Sequence, residues 1–171
     1  MKKSISIVTV FLSILLLTGC IMIVPSIDTI GEPQKFSKAG ITLLLTDRFR
    51  EQESELGFDA YYSSDFCGVT VTREEFTLEE GLADRPLSEY IQNVIEANGH
   101  QDIQPQNSDD LWYYIKSNAS TCVYAFCYKG PDAFYIVQYI CPNEIVAVME
   151  DTIFLWAAAV EFQSSPSEQS A

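Results

Sequence analysis

The chain has 171 residues, a formal net charge of −14 and a sequence pI near 4.2. That length suits one domain with a proper core, and 10 Lys and Arg against 24 Asp and Glu leave no basic footprint for phosphate, which excludes nucleic-acid recognition. The same acidity repels the folded body from an anionic bilayer, so any membrane attachment must come from the N-terminus.

The chain opens Met1-Lys2-Lys3, then runs from Ile5 to Leu17 without a charge, and reaches Leu17-Thr18-Gly19-Cys20. Two lysines before an apolar core have the layout of an export signal. The stretch resembles the lipobox of bacterial lipoproteins: an aliphatic residue, a small residue, Gly or Ala, then Cys. The resemblance implies that residues 1–19 are a signal peptide, that Cys20 is lipidated, and that the domain stands on the extracytoplasmic face of the cell membrane. Two acyl chains are needed for durable anchoring, each buried methylene adding about 0.8 kcal/mol. Ile21-Met22-Ile23-Val24 departs from the polar tether usual after such a cysteine. Counted through Val24, the segment approaches the ~20 residues of a membrane-spanning helix, so an uncleaved anchor stays open as an alternative with the same orientation.

Residues 20–35 carry Pro25, Gly31 and Pro33 with no sustained period and read as a tether; the domain is expected over 36–162. Ile41 to Leu45 predicts a first strand. Phe58 to Ser63 and Phe66 to Arg73, joined at Ser64-Asp65, predict a hairpin in which Cys67, Val69 and Val71 share the core face. Glu74 to Arg85 is charged and reads as a loop. Neither its acids nor Glu51, Glu53 and Glu55 have calcium-loop spacing, and no metal or cofactor is expected. Leu87, Tyr90, Ile91, Val94 and Ile95 recur at helical spacing after Pro86 and stop at Asn98-Gly99.

Three strands follow, Leu111 to Ser117, Thr121 to Lys129 and Ala133 to Cys141, the last two turning at Lys129-Gly130-Pro131-Asp132. Tyr124, Phe126 and Tyr128 alternate with Val123, Ala125 and Cys127, so both faces are apolar and the sheet must be covered on both sides. From Pro142-Asn143, the residues Ile145, Val148, Met149, Thr152, Leu155, Trp156 and Ala159 form the stripe of a long helix reaching about Phe162, and 163–171 is expected to be a disordered tail.

The order of elements gives an α+β domain, a largely antiparallel twisted sheet of about six strands covered by helices. The opening Phe36-Ser37-Lys38-Ala39-Gly40-Ile41-Thr42-Leu43, the helix start Leu87-Ser88-Glu89-Tyr90 and the strand Phe134-Tyr135-Ile136-Val137 before the last helix resemble the PsbP/Mog1-like superfamily over roughly Phe36 to Phe162. The resemblance implies α/β/α layers. It brings no shared catalytic residue, so the catalytic set is empty. Known members bind partners, photosystem II in plants and the Ran GTPase in fungi, but fold does not transfer a partner.

The expected function is therefore a non-enzymatic, membrane-anchored binding or accessory module for a protein or envelope ligand. Its candidate contact patch is Tyr62, Trp112 and Tyr114, because exposed Tyr and Trp favour interfaces. Cys20 apart, the five cysteines leave Cys67, Cys122, Cys127 and Cys141, and the Pro131-Asp132 turn sets Cys122 opposite Cys141 as a candidate disulfide beside the reading as free buried thiols. A thiol hydrolase built on Cys67, Cys122 or Cys127 with His100 is the enzymatic alternative, and a structural or sporulation-type envelope role is the third.

Overall fold

The computed structural model describes residues 30–54 and 57–163. The signal and lipidation readings at 1–20 therefore lie outside the described residues, as does the tail beyond Gln163. A hairpin opens the domain, β1 (Pro33–Lys38) against β2 (Ile41–Thr46), and β3 (Arg50–Glu51), β4 (Ala60–Ser63) and β5 (Gly68–Glu75) follow. A 3-10 turn at Leu82–Asp84 leads into α1 (Leu87–Ala97), then β6 (Gln106–Ser108), β7 (Leu111–Ser117), β8 (Thr121–Lys129) and β9 (Ala133–Pro142). A 3-10 turn at Asn143–Ile145 precedes α2 (Val146–Ala158), and β10 (Glu161–Phe162) ends the described chain.

The strands form two antiparallel sheets, β3-β4-β5-β9-β8-β7-β6 and the smaller β1-β2-β10. Alternation along the central strands splits the core into two layers. Val69, Val71, Tyr124, Phe126, Val137 and Tyr139 face α2 and the small sheet, where they meet Leu43, Leu45, Met149, Ile153 and Trp156. Ala125, Cys127, Phe134 and Tyr114 face α1 and meet Tyr90, Ile91 and Ile95. Tyr90 stacks on Phe134 with ring centroids 4.0 Å apart. Burying each such ring contributes about 1.5–3 kcal/mol, and apposed rings add to that.

Local chemistry fixes the ends of the elements. Gly99, at φ +70°, closes α1: its N–H bonds to Glu96 O and the His100 N–H to Ile95 O, a Schellman pair that satisfies two orphan carbonyls. At the β8–β9 turn Arg73 Nε donates to Tyr135 Oη at 3.2 Å, its Nη2 to Asp132 at 2.8 Å and its Nη1 to Glu75. That guanidinium ties β5 to the turn, and these partners hold its pKa above the usual arginine value, the Tyr135 hydrogen bond first. Gly40, at φ +86°, sits on the same phenol: a Cβ there would lie 2.6 Å from Tyr135 Oη.

Four sequence expectations change. The tether ends before residue 35, because Pro33, Gln34 and Lys35 already pair with Thr46, Leu45 and Leu44. The expected large antiparallel sheet is present, but with seven strands because the short β3 and β6 extend its edges, and β1, β2 and β10 form a second sheet beside it. The last helix stops at Ala158, and Glu161 and Phe162 pair with Thr42 and Ile41. Its buried side is Met149, Ile153, Trp156 and Ala157, whereas Leu155, expected in the core stripe, is 71% exposed. A helix this apolar offers no single polar side to orient it, so packing against Phe49 and Tyr139 decides which face turns inward.

That orientation predicts opposite outcomes at neighbouring positions. Trp156→Ala should cost about 3–5 kcal/mol in urea unfolding, while Leu155→Ala should stay within about 0.5 kcal/mol.

Candidate functional site

The candidate contact patch does not form. Tyr62 and Tyr114 are each 2% exposed, and they lie in different core layers on opposite faces of the large sheet. Trp112 is half-buried and packs beside Tyr114 against the α1 layer. Because both faces of the sheet are covered, aromatic residues in its strands go to the core rather than to an interface.

The candidate disulfide has the expected register but no bond. Cys122 pairs with Cys141 across β8 and β9, yet Cys67, Cys122, Cys127 and Cys141 are all free and buried. Ser117 Oγ lies 3.2 Å from Cys122 Sγ and donates to it, while the Cys141 thiol is directed to Cys67 Sγ at 2.9 Å. The hydrogen bond with Cys141, then burial, holds the Cys67 thiol well above its ordinary pKa, and burial raises Cys127 to about 12. Thiols held protonated in this way are poor nucleophiles. His100 does not activate them: its Nε2 lies 3.1 Å from Lys116 Nζ, its ring is tilted 56° to that of Tyr114 with centroids 6.4 Å apart, and its backbone N–H caps α1. No group of three His, Cys, Asp or Glu among the described residues is arranged to hold a metal ion.

The surface feature that sequence reasoning missed lies along the outward side of α2. Phe154, Leu155 and Ala158 meet Ser108, Asp109 and Leu111 of the β6–β7 hairpin around a groove of about 430 Å3, with Asp151 on its rim. Phe154 forms the floor, half-buried and edge-on to Tyr113 and Phe126 at 5.0 and 5.3 Å. The acidic lip is a two-residue turn in which both Asp109 (φ +49°) and Asp110 (φ +67°) occupy the left-handed region. Positive φ at both positions is the type I′ hairpin turn, which Asn-Gly or Asp-Gly supplies most cheaply. Asp-Asp costs more and places the Asp109 carboxylate at the groove, and backbone cost concentrated at one spot is a pointer to function. The Asp109-Asp110 pair directly before the aromatic strand Leu111-Trp112-Tyr113-Tyr114 was the signal available in the sequence.

A second cleft, about 420 Å3, lies between Lys38 and the β3–β4 loop. Its lining is mostly polar, and Lys38 is paired with Glu51 at 2.5 Å. Burial first, and then the carboxylate of Glu51, raise the Tyr62 pKa to about 12.

No protein-family profile matches the sequence, and no curated protein matches it. Among solved structures, the chain is similar to the cyanobacterial PsbP (CyanoP) of Synechocystis sp. PCC 6803, at 12% identity over 78% of this chain and 94% of that one, with a TM-score of 0.54. It is also similar to the Ran-binding protein Mog1p of Saccharomyces cerevisiae, at 9% identity over 77% of this chain and 96% of that one, with a TM-score of 0.50. The fold is thus the α+β fold of PsbP and Mog1p, as the sequence resemblance implies.

Burial of weak acids links the stability of the fold to alkaline pH. Tyr62 and Cys127 ionise near pH 12 when folded and near their ordinary values of 10 and 9 when unfolded. Their contribution is complete below the unfolded values and is lost as pH rises through the folded ones. Denaturant midpoints should hold steady to about pH 9 and fall steeply by pH 12. A flat profile across that interval would place both groups in water.

Proposed function

We propose that this protein is a membrane-anchored, extracytoplasmic binding module that engages a protein partner through the groove beside α2, with Cys20 as its lipid attachment point. The observation that carries the reading is Leu155, a large aliphatic side chain 71% exposed over an apolar groove with a rim of Asp109 and Asp151. An apolar floor with carboxylates around it is complementary to a segment that presents one apolar anchor flanked by Lys or Arg. Two further features support a partner-binding role over catalysis: the described thiols are buried, and the yeast protein of the same fold is named for binding Ran. Nothing in this chain selects Ran itself.

Two measurements test the two halves separately. Intact-mass analysis of the protein isolated from membranes should show an N-terminal diacylated Cys20, and Cys20→Ser should release the domain into the soluble fraction. An intact Met1-Lys2-Lys3 terminus would identify the uncleaved anchor instead.

For the groove, a photo-crosslinker at position 155 should capture one defined partner that a crosslinker at Leu78, also exposed at 69%, does not. Asp109→Lys should weaken capture about tenfold, and added salt should weaken it in the unsubstituted chain. Equal capture from both positions, or indifference to Asp109→Lys, would reject the groove as the docking site.

A further inference from the structure

Three cysteines stand in one row across neighbouring strands. Cys122 in β8 is paired with Cys141 in β9. On the other flank Gly68 in β5 is paired with Ile140, so the next position along that ladder sets Cys67 opposite Cys141. Opposed residues of antiparallel strands project to the same face, and all three cysteines belong to the α2 layer, while Cys127 lies in the α1 layer.

The central thiol is not shared evenly. Cys141 Sγ lies 2.9 Å from Cys67 Sγ, whereas the hydroxyl of Ser117 occupies Cys122 Sγ at 3.2 Å. A disulfide bond is about 2.0 Å long, so only a small side-chain movement separates the first pair from bonding. Exposure does not separate the two pairs, since Cys67 and Cys122 are each 4% exposed against 0% for Cys141, but a surface depression of about 210 Å3, lined by Tyr61, Ser64, Phe66, Cys67, Ile140 and Pro142, reaches Cys67.

We propose that Cys67 and Cys141 are a disulfide-forming pair, closed by exchange with a disulfide oxidant that enters at Cys67, while Cys122 and Cys127 remain thiols. Cys67 gives up its proton and attacks one sulfur of the oxidant, the S–S bond of the oxidant breaks, and one thiolate leaves and takes up that proton. Cys141, already in contact, then gives up its proton and attacks the Cys67 sulfur of the mixed disulfide, expelling the second thiol. The two cysteines lose two electrons and two protons in all, and the oxidant is reduced to two thiols. The bond joins positions 74 residues apart in sequence, so it constrains the unfolded chain strongly. Burial makes the exchange slow in both directions, which suits a structural bond over a catalytic one.

The pairing rests on geometry alone; the exported location proposed above supplies the oxidising compartment in which it would persist. Its test uses purified full-length chain carrying Cys20→Ser, reduced, freed of reductant and incubated with oxidised glutathione. Non-reducing peptide mapping should then show a Cys67–Cys141 cross-link, with Cys122 and Cys127 alkylated after unfolding. Tm should rise on the order of 10 °C, reversibly with dithiothreitol. Cys122→Ser should keep the cross-link and the shift, and Cys67→Ser should lose both. Four alkylated cysteines after oxidation, glutathione adducts without a cross-link, or a Cys122–Cys141 cross-link would overturn the pairing. The map of the unsubstituted pair decides even where a variant folds poorly, and the anchor is judged separately by the Cys20 measurement.

Discussion

Everything in this domain hangs on β9 being apolar on both sides. Its neighbours are β5 and β8, so it has no free edge, and its residues alternate between the two core layers: Tyr135, Val137, Tyr139 and Cys141 toward α2, Phe134 and Ile136 toward α1. A strand of that kind cannot be left bare on either face without exposing large aromatic surface to water. Both helices and the small β1-β2-β10 sheet follow from that requirement. The requirement also removes the aromatic strands from the surface, which is why Tyr62 and Tyr114 are core residues.

Once the sheet is covered, the outward surface of the covering elements is what a partner can meet. α2 differs from α1 here. The exposed side of α1 carries charged and amide groups such as Glu89, Asn93 and Glu96, whereas α2 turns Leu155 outward above Phe154. Asp109 of the β6–β7 turn and Asp151 place negative charge beside that apolar strip, and a net charge of −14 has the sign that the proposed basic partner would meet. In the proposed docking, affinity and steering would come from different residues: Leu155 and Phe154 would offer apolar burial, and the aspartates would direct the approach.

Elements whose periodicity is strong were legible in the sequence. β7 and β8 run over the residues that alternation predicts, α1 over the stripe from Leu87 to Ile95, and the Pro131-Asp132 turn sets the β8–β9 register correctly down to Cys122 against Cys141. β1 was hidden because Pro-Gln-Lys-Phe-Ser-Lys is an edge strand with one partly buried side chain, Phe36, and so has no apolar alternation to read. β10 is two residues long and exists only through β2. Leu155 was misplaced because α2 is apolar around most of its circumference. The contact between Cys67 and Cys141 depends on β5 and β9 being neighbours, a pairing across most of the domain that no local pattern encodes. Of the candidate site, the Asp-Asp turn was visible as residues, but its position beside α2 is a product of tertiary packing.

The start of the small sheet has a mechanical consequence. Before β1 pairs at all, Asp47 N–H bonds to Glu32 O at 2.8 Å, Glu32 N–H to the Asp47 carboxylate at 3.1 Å, and the Thr46 hydroxyl to Ile30 O at 2.7 Å. Pro33 is opposite Thr46 at that same end, and the ladder runs from there to Lys38 opposite Ile41. Tension arriving along the chain from its N-terminal side therefore meets these bonds one after another, as in opening a zip, and not all together as in shear. The clamp from Ile30 to Asp47 is the first to yield, β1 peels next, and β2 remains held by β10 and the apolar layer beneath it. The domain can give up a short length of strand as slack while the sheet that carries its core stays closed.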